Sequence, residues 1–409
     1  MSEDCHRPEN YRLGVALPTG NRAAAAVLAS DGRVVAAVEQ AVAGDDAAEI
    51  MDAVLAEARR LGVLPEQIGH VMFAVTDATV LTDLAAQNGL WRGWPGRLTR
   101  VAAVRLGAGT TAVPPLALWP DELRDRVAAA ATCLSGGAML DGSDYEPLDI
   151  EGLLAFARRI AGTVGTIAIT GVFSSVTPRH ELAAAEVLRA ELGSGIVFLL
   201  SHEFGGLGLI ERENATVLQA ALTVPTAEEA GKLLAAVVRR GLGGAEVFLA
   251  RGDGTIATLD NAVTHPLSLL AATDACAATG VALLAGEQDA LVGLTRADGR
   301  LRAVCALTAG MPRMTLGHTE VAGVPTGLSV PALVRVDGAV EEAIDRAKDA
   351  PGDLPFLLAG PGAAEFAKSL PRNPAGTVAV DCPAGARAAA AGGAAPPPGV
   401  GVSPPIGTL

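Results

Sequence analysis

The chain opens with three short apolar runs, Leu13 to Leu17, Ala23 to Ala29 and Val34 to Val38, and each is predicted to be a strand. Ser30-Asp31-Gly32-Arg33 supplies turn chemistry between the second and the third. From Ala47 to Leu61 the apolar residues Ile50, Val54 and Leu61 recur at helical spacing, and Gly62 is placed to stop that helix. A strand is predicted next at His70 to Val75. Further on, Thr166 to Phe173 alternates with Ile167 and Ile169 on one side, the signature of another strand. Thr177 is expected to cap a helix whose first turn holds Pro178 and which runs to about Leu192. Gly193 to Gly195 then releases the chain into a strand at Ile196 to Leu200. Strand, helix and strand in this order imply a mostly parallel sheet covered on both faces.

The second half echoes the first. Ala290 to Thr295, the turn Ala297-Asp298-Gly299-Arg300 and Leu301 to Leu307 repeat the hairpin seen around Ser30 to Arg33. A helix at about Val340 to Ala347 and a strand at Pro355 to Ala359 follow in the same order. Such a repeated unit, split by a large insert, predicts an α/β chain with a duplicated ribonuclease-H-like, two-lobed fold. The expected division is 10–80 for the first ribonuclease-H-like portion, 81–285 for the insert and middle α/β region, and 286–383 for the second portion. The tail, 384–409, is Ala, Gly and Pro in low complexity and is expected to be disordered beyond Gly392.

Composition narrows what such a fold can do. Aromatics are only 3% of the chain although half of it is apolar, so the core must be built from Ala, Val and Leu. The net charge of −14, with no concentrated run of Lys and Arg, argues against nucleic acid and anionic membrane as partners. No apolar stretch of about 18 residues suggests a membrane span, and the polar start, Met1 to Asn10, lacks the apolar core of a secretory signal. The five cysteines are scattered and form no CxxC pair, so neither a disulfide framework nor a thiolate zinc site is expected. Reduced core thiols and a cytoplasmic setting follow as expectations.

Several phrases resemble the A-type subunits of the hydantoinase/oxoprolinase family. Leu200-Ser201-His202-Glu203 followed by Gly206-Leu207-Gly208-Leu209-Ile210-Glu211-Arg212-Glu213-Asn214-Ala215-Thr216-Val217-Leu218 is similar to that family's LSHE…GLLERENA-TVLNA passage. Gly171-Val172-Phe173-Ser174 and Pro178-Arg179-His180-Glu181-Leu182 resemble its GVFSxVNPxHEL segment. Leu116 to Leu123 around Trp119-Pro120, and Arg251-Gly252-Asp253-Gly254-Thr255, are similar too, and the matches run in order over roughly residues 10 to 380. The resemblance implies an actin-like ATPase fold. In active members it implies opening of a cyclic amide, of the hydantoin or 5-oxoproline type, at the expense of Mg-ATP. It also implies a partner: a B-like subunit or an active paralogue, with an oligomer expected.

Departures from the family pattern fall on the loops that would hold phosphate and metal. Where members carry a GVDVGGTxTD loop, this chain has Gly14-Val15-Ala16-Leu17-Pro18-Thr19-Gly20-Asn21-Arg22-Ala23. Both acids become alanine, at Ala16 and Ala23, and Pro18 removes a backbone N–H that a phosphate would want. The GTTHxTN segment becomes Ala74-Val75-Thr76-Asp77-Ala78-Thr79-Val80, and GGGHEFDG becomes Ser135-Gly136-Gly137-Ala138-Met139-Leu140-Asp141-Gly142. The second phosphate loop is missing, since Gly293-Leu294-Thr295 runs almost directly into the Asp298-Gly299 turn. A GLGGGS loop reads Pro325-Thr326-Gly327-Leu328-Ser329. Gly360 and Gly362 partly preserve an adenosine-side loop and are the candidate cofactor contacts. Each ionic phosphate or metal contact is worth on the order of 1.5–3 kcal/mol, so losing several is expected to abolish useful Mg-ATP binding. No cofactor and no metal site are expected.

The remaining candidates have two readings each. His202 and Glu203 end a strand, where α/β folds place active residues, or they form a pair that fixes the following loop. Arg251 and Asp253 either face a ligand in the cleft or close a tight turn. Together these four are the catalytic candidates. Thr76, Asp77 and Asn214 are the candidate substrate contacts, against an exposed loop for Thr76 and Asp77 and helix-end pairing for Asn214. Cys133 has no His close in sequence to activate it. The expectation is a binding or scaffolding subunit silent in ATP chemistry, with a nucleotide-independent hydrolase of cyclic amides as the alternative.

Overall fold

The structure, a computed structural model, describes residues 10–17, 22–41, 47–75, 98–204, 206, 208–295, 299–315, 317, 319–336, 338–348, 354–360, 363, 366 and 378–381. The three opening runs form an antiparallel meander of β1 (Tyr11–Ala16), β2 (Arg22–Leu28) and β3 (Val34–Ala41). Gly32 takes a left-handed φ of 84° and Asp31 Oδ1 accepts from Arg33 N at 2.9 Å, which closes the turn between β2 and β3. Helix α1 (Ala47–Arg60) buries Ile50, Met51, Val54 and Leu55, and β4 (Ile68–Ala74) returns parallel to β1. Most element ends differ from the predicted ones by one or two residues, as fraying ends do, and β3 runs three residues further than predicted, to Ala41.

A four-stranded all-parallel sheet follows: β5 (Val101–Leu106), α2 (Asp121–Val127), β6 (Ala128–Leu134), α3 (Ile150–Ile160), β7 (Thr166–Gly171), α4 (Arg179–Leu192) and β8 (Val197–Leu200). Its strand order is β6-β5-β7-β8. Thr177 does not cap α4. Its N–H is directed to Phe173 O in the preceding turn, and the helix starts at Arg179 with no side-chain cap.

Helix α5 (Leu209–Arg239) is the longest element, 31 residues with Pro225 inside it. Its first half, from Val217 to Leu222, packs against β5 and β8 and against the hairpin at 320–325. Its second half, through Leu233, Ala236 and Val237, joins the core under the first sheet. One helix therefore ties the middle unit to the first lobe.

The chain then rejoins the first sheet. Strand β9 (Glu246–Ala250) lies parallel to β4 and β10 (Ile256–Thr258) antiparallel to β9, giving the order β10-β9-β4-β1-β2-β3. Helices α6 (Leu259–Thr264) and α7 (Ala272–Ala285) lead to the second lobe. There β11 (Ala290–Thr295), β12 (Leu301–Thr308), β13 (Met311–Pro312), the hairpin β14 (Glu320–Val321) and β15 (Val324–Pro325), β16 (Leu333–Arg335), α8 (Val340–Ala347), β17 (Phe356–Gly360) and β18 (Val378–Asp381) follow. The order is β13-β12-β11-β17-β18, with β16 also on β12. Both lobes thus pair their first strand antiparallel to the second and parallel to the strand that follows the helix, β4 in the first lobe and β17 in the second, which is the duplication expected from the sequence. Among the described residues no helix is long and apolar enough to cross a membrane. The 384–409 tail lies outside the described residues.

Candidate functional site

In an open parallel sheet, ligands favour the crevice at the carboxyl ends of the strands where the strand order reverses, here between β5 and β7. The chain itself fills that crevice. Ala138 N donates to Val172 O at 2.9 Å, Val172 N to Leu106 O at 3.0 Å, and Gly137 N to His180 Nδ1 at 2.9 Å. Only glycine fits at 107, where φ is 145° and a Cβ would stand 2.4 Å from a methyl of Val172.

The polar chemistry lies one strand along, at the ends of β7 and β8. Glu181, on the first turn of α4, is buried and accepts four hydrogen bonds. Its Oε1 takes Gly171 N at 2.8 Å and Ser201 Oγ at 2.5 Å, and its Oε2 takes His202 N at 3.1 Å and pairs with His202 Nδ1 at 2.7 Å. Arg212, also buried, donates through Nε to Ser201 Oγ at 2.9 Å and through its terminal nitrogens to the carbonyls of Gly206 and Gly171. Burial lowers the Arg212 pKa, while the carboxylate of Glu181 acts against that. The hydrogen bond that His202 donates to Glu181 raises the pKa of His202, outweighing its partial desolvation. His202 is therefore an imidazole held by one ring nitrogen, with its side chain 21% exposed. Glu203, beside it, is exposed.

This node underpins a cleft of about 310 Å³ lined by Phe204, Glu211, Arg212, Thr326, Leu328 and Ser329, among others. Its far wall is held by Asn214. Trp119 Nε1 donates to Asn214 Oδ1 at 2.8 Å, and Asn214 Nδ2 donates to Pro325 O at 2.8 Å. Thr326 and Ser329 spend their hydroxyls on the carbonyls of Thr319 and Thr315, so they rigidify their own segment. Behind Asn214, Arg105 and Glu213 form a bidentate ion pair with both side chains buried.

The remaining candidates stand apart from this node. Arg251 and Asp253 pair with each other at 3.3 Å at the end of β9, and Asp253 Oδ1 accepts from Thr255 N and Thr255 Oγ1 at 2.9 and 2.6 Å. A Cβ on Gly252 would meet Leu270 O at 1.9 Å, so the segment is a tight turn pressed against the chain. Gly360 ends β17 at a φ of 120°, where a Cβ would come within 2.6 Å of Thr295 Oγ1. Thr76, Asp77 and Gly362 lie outside the described residues. At the base of the interlobe junction, Ala16, Ala74, Ala250, Ala272 and Cys276 form one buried apolar cluster. Among the described residues no group of three or more His, Cys, Asp or Glu is placed to hold a metal ion.

The structure therefore joins His202 to Glu181 beneath the cleft, sets Asn214 in its far wall, and leaves Arg251 with Asp253. Glu181, Ser201, Arg212 and Arg105 were not singled out from the sequence as site residues. The first three do sit inside the quoted phrases, and an arginine in the apolar run Val101 to Leu106 is a signal for a buried partner. Cys133, half-buried, donates to Gly107 O, and burial raises its pKa, which is contrary to an activated thiol.

No family model and no curated protein matches the sequence. Two solved structures share the fold. One is acetone carboxylase in a nucleotide-free structure, from work on ATP-dependent acetone carboxylation, with a TM-score of 0.57 at 15% identity over 80% of this chain and 48% of that one. The other is the ATP-dependent caprolactamase from Pseudomonas jessenii, with a TM-score of 0.56 at 17% identity and the same coverage of 80% and 48%. The likeness is one of fold, and it identifies an actin-like, duplicated ribonuclease-H-like α/β protein. Both neighbours belong to the hydantoinase/oxoprolinase family. The chain spans about half the length of each.

Proposed function

We propose that this chain is a hydantoinase/oxoprolinase A-like protein that has given up Mg-ATP chemistry and serves as a binding or scaffolding subunit. The observation that carries this reading is the surroundings of Ala16. In the family resemblance this position is the first acid of the phosphate loop, yet here it is buried with Ala74, Ala250, Ala272 and Cys276. A metal-bound carboxylate needs charged or polar neighbours, and this cluster offers methyl groups and a thiol. The residues present do not fit a magnesium ion at that point. The preserved phrases instead build the Glu181, Arg212 and Asn214 frame around the cleft, which supports binding as the retained role. A B-like subunit or an active paralogue inside the cell is the proposed partner.

A second reading is favoured by the Glu181–His202 pair. A carboxylate that holds one ring nitrogen leaves the other available as a base, as a nucleotide-independent hydrolase of cyclic amides would need. Calorimetric titration with Mg-ATP, in parallel with a hydantoin and 5-oxoproline, tests both. Dissociation constants of millimolar or weaker for Mg-ATP are expected. Micromolar Mg-ATP binding would overturn the proposal. Ring opening without nucleotide that is lost in His202→Gln would install the second reading in its place.

A further inference from the structure

Away from the cleft, the carboxyl ends of α1 and α5 meet over a second pocket of about 410 Å³, lined by Asp52, Leu55, Arg59, Arg239, Arg240 and Gly241, among others. In a chain of net charge −14 this places three guanidiniums against one carboxylate. Asp52 is already engaged. Arg240 donates to both its oxygens at 2.8 Å through Nε and Nη2, and also reaches Ala236 O and Ala48 O at 2.9 Å. Arg59 and Arg239 are exposed, and among the described residues neither enters an ion pair.

Cations at helix carboxyl ends often serve only the helix dipole and its open carbonyls. Several of those carbonyls have backbone partners here, and Ala236 O has Arg240. Gly62 N bonds Arg59 O, Val63 N bonds Ala58 O, Leu242 N bonds Val237 O and Gly241 N bonds Val238 O. The two free guanidiniums are therefore surplus to capping, and they share a concave floor made rigid by the Arg240–Asp52 clamp. We propose that this pocket binds a small multivalent oxyanion, phosphoryl or carboxylate, whose paired oxygens match the guanidinium forks of Arg59 and Arg239. The inference is independent of the reading given above for the interlobe junction.

The test is calorimetric titration of the full chain with sodium pyrophosphate and, separately, sodium citrate at low ionic strength, with sodium chloride of matched ionic strength as control. Saturable one-to-one binding of at least one anion is expected, weakened by about tenfold or more in the Arg59→Gln, Arg239→Gln double variant at an unchanged thermal midpoint. Pyrophosphate alone would assign a phosphoryl ligand, and citrate alone a carboxylate. If the double variant does not fold, Arg59→Lys and Arg239→Lys replace it, since each keeps the charge and loses the fork. No saturable heat with either anion, competition by chloride alone, or unchanged affinity in the variants would overturn the proposal. Mg-ATP binding that survives in the double variant would bear on the interlobe junction and not on this pocket.

Discussion

Arg105 on β5 and Glu213 on α5 meet through two hydrogen bonds, Nε to Oε2 at 2.6 Å and Nη2 to Oε1 at 2.7 Å, with both side chains shielded from water. Arg105 also donates to Val113 O at 2.5 Å through Nη1, so its charge is spread over a carboxylate and the following loop. Removing one member of such a pair strands the other in a low-dielectric interior. Glu213→Ala is expected to lower unfolding free energy by roughly 3–5 kcal/mol, read by urea denaturation. The Glu213→Ala, Arg105→Met double variant should recover much of that loss, because the stranded charge goes with it. Equal stability of the single variant and the wild type would show that the pair contributes nothing to the join between β5 and α5.

The Glu181–His202 pair should give stability a pH dependence of definite sign. The folded-state pKa of His202 is raised above its ordinary 6.5 by the hydrogen bond to Glu181. Its contribution is then fully present below the unfolded pKa and is lost as pH rises through the raised folded value. Thermal midpoints of wild type and His202→Gln, followed from acidic to alkaline pH, should differ most below about pH 6.5 and converge as pH rises. A gap that widens with pH would mean that His202 is held neutral and that the direction assigned here is wrong.

These two pairs also show what could be read in advance. The positions and succession of the strands in each lobe were legible, because a turn residue such as Gly32 and an apolar run report local geometry that the chain keeps. The length of α5 was not, since a proline ordinarily ends a helix and Pro225 lies inside this one. The helix survives it because neighbouring residues are buried against two cores at once. Glu181 was visible only as one letter of a motif. Its partners come from Gly171 on one strand and from Ser201 and His202 after the next, and nothing local announces that they converge. Arg251 and Asp253 read as a ligand-facing pair or a turn with equal ease, and the approach of Gly252 to Leu270 O, some twenty residues away, makes it a turn.

The thiols should divide by burial. Desolvation pushes Cys276 and Cys305 up to about 12, so almost no thiolate forms at either in neutral or mildly alkaline buffer. Native protein treated with iodoacetamide at about pH 8 and mapped by mass spectrometry should leave both unmodified, with full labelling after denaturation. Rapid native labelling of Cys276 would mean that the apolar cluster around Ala16, with which that thiol packs, is open to water.

Asn214 bridges three elements, and its role can be separated from any chemistry in the cleft. It accepts from Trp119 after β5 and donates to Pro325 in the second lobe, while its own backbone lies in the first turns of α5. Asn214→Ala leaves the buried indole N–H and the Pro325 carbonyl without partners, at a cost of about 1–3 kcal/mol for each polar group left buried. The loss should be local as well as global, because among the described residues of 315–330 the remaining hydrogen bonds on that side are internal ones, such as Thr326 to Thr319 and Ser329 to Thr315. Hydrogen exchange should therefore quicken at amides in 319–330 before it quickens in β5 or β7. Asn214→Asp distinguishes a bridge from a cap: it keeps the acceptor for Trp119 but has no N–H for Pro325, so it should retain the protection around 119 and lose that at 325. Equal protection at both places in both variants would mean that the apolar contacts of Val321 and Val324 with α5 hold this wall of the cleft by themselves.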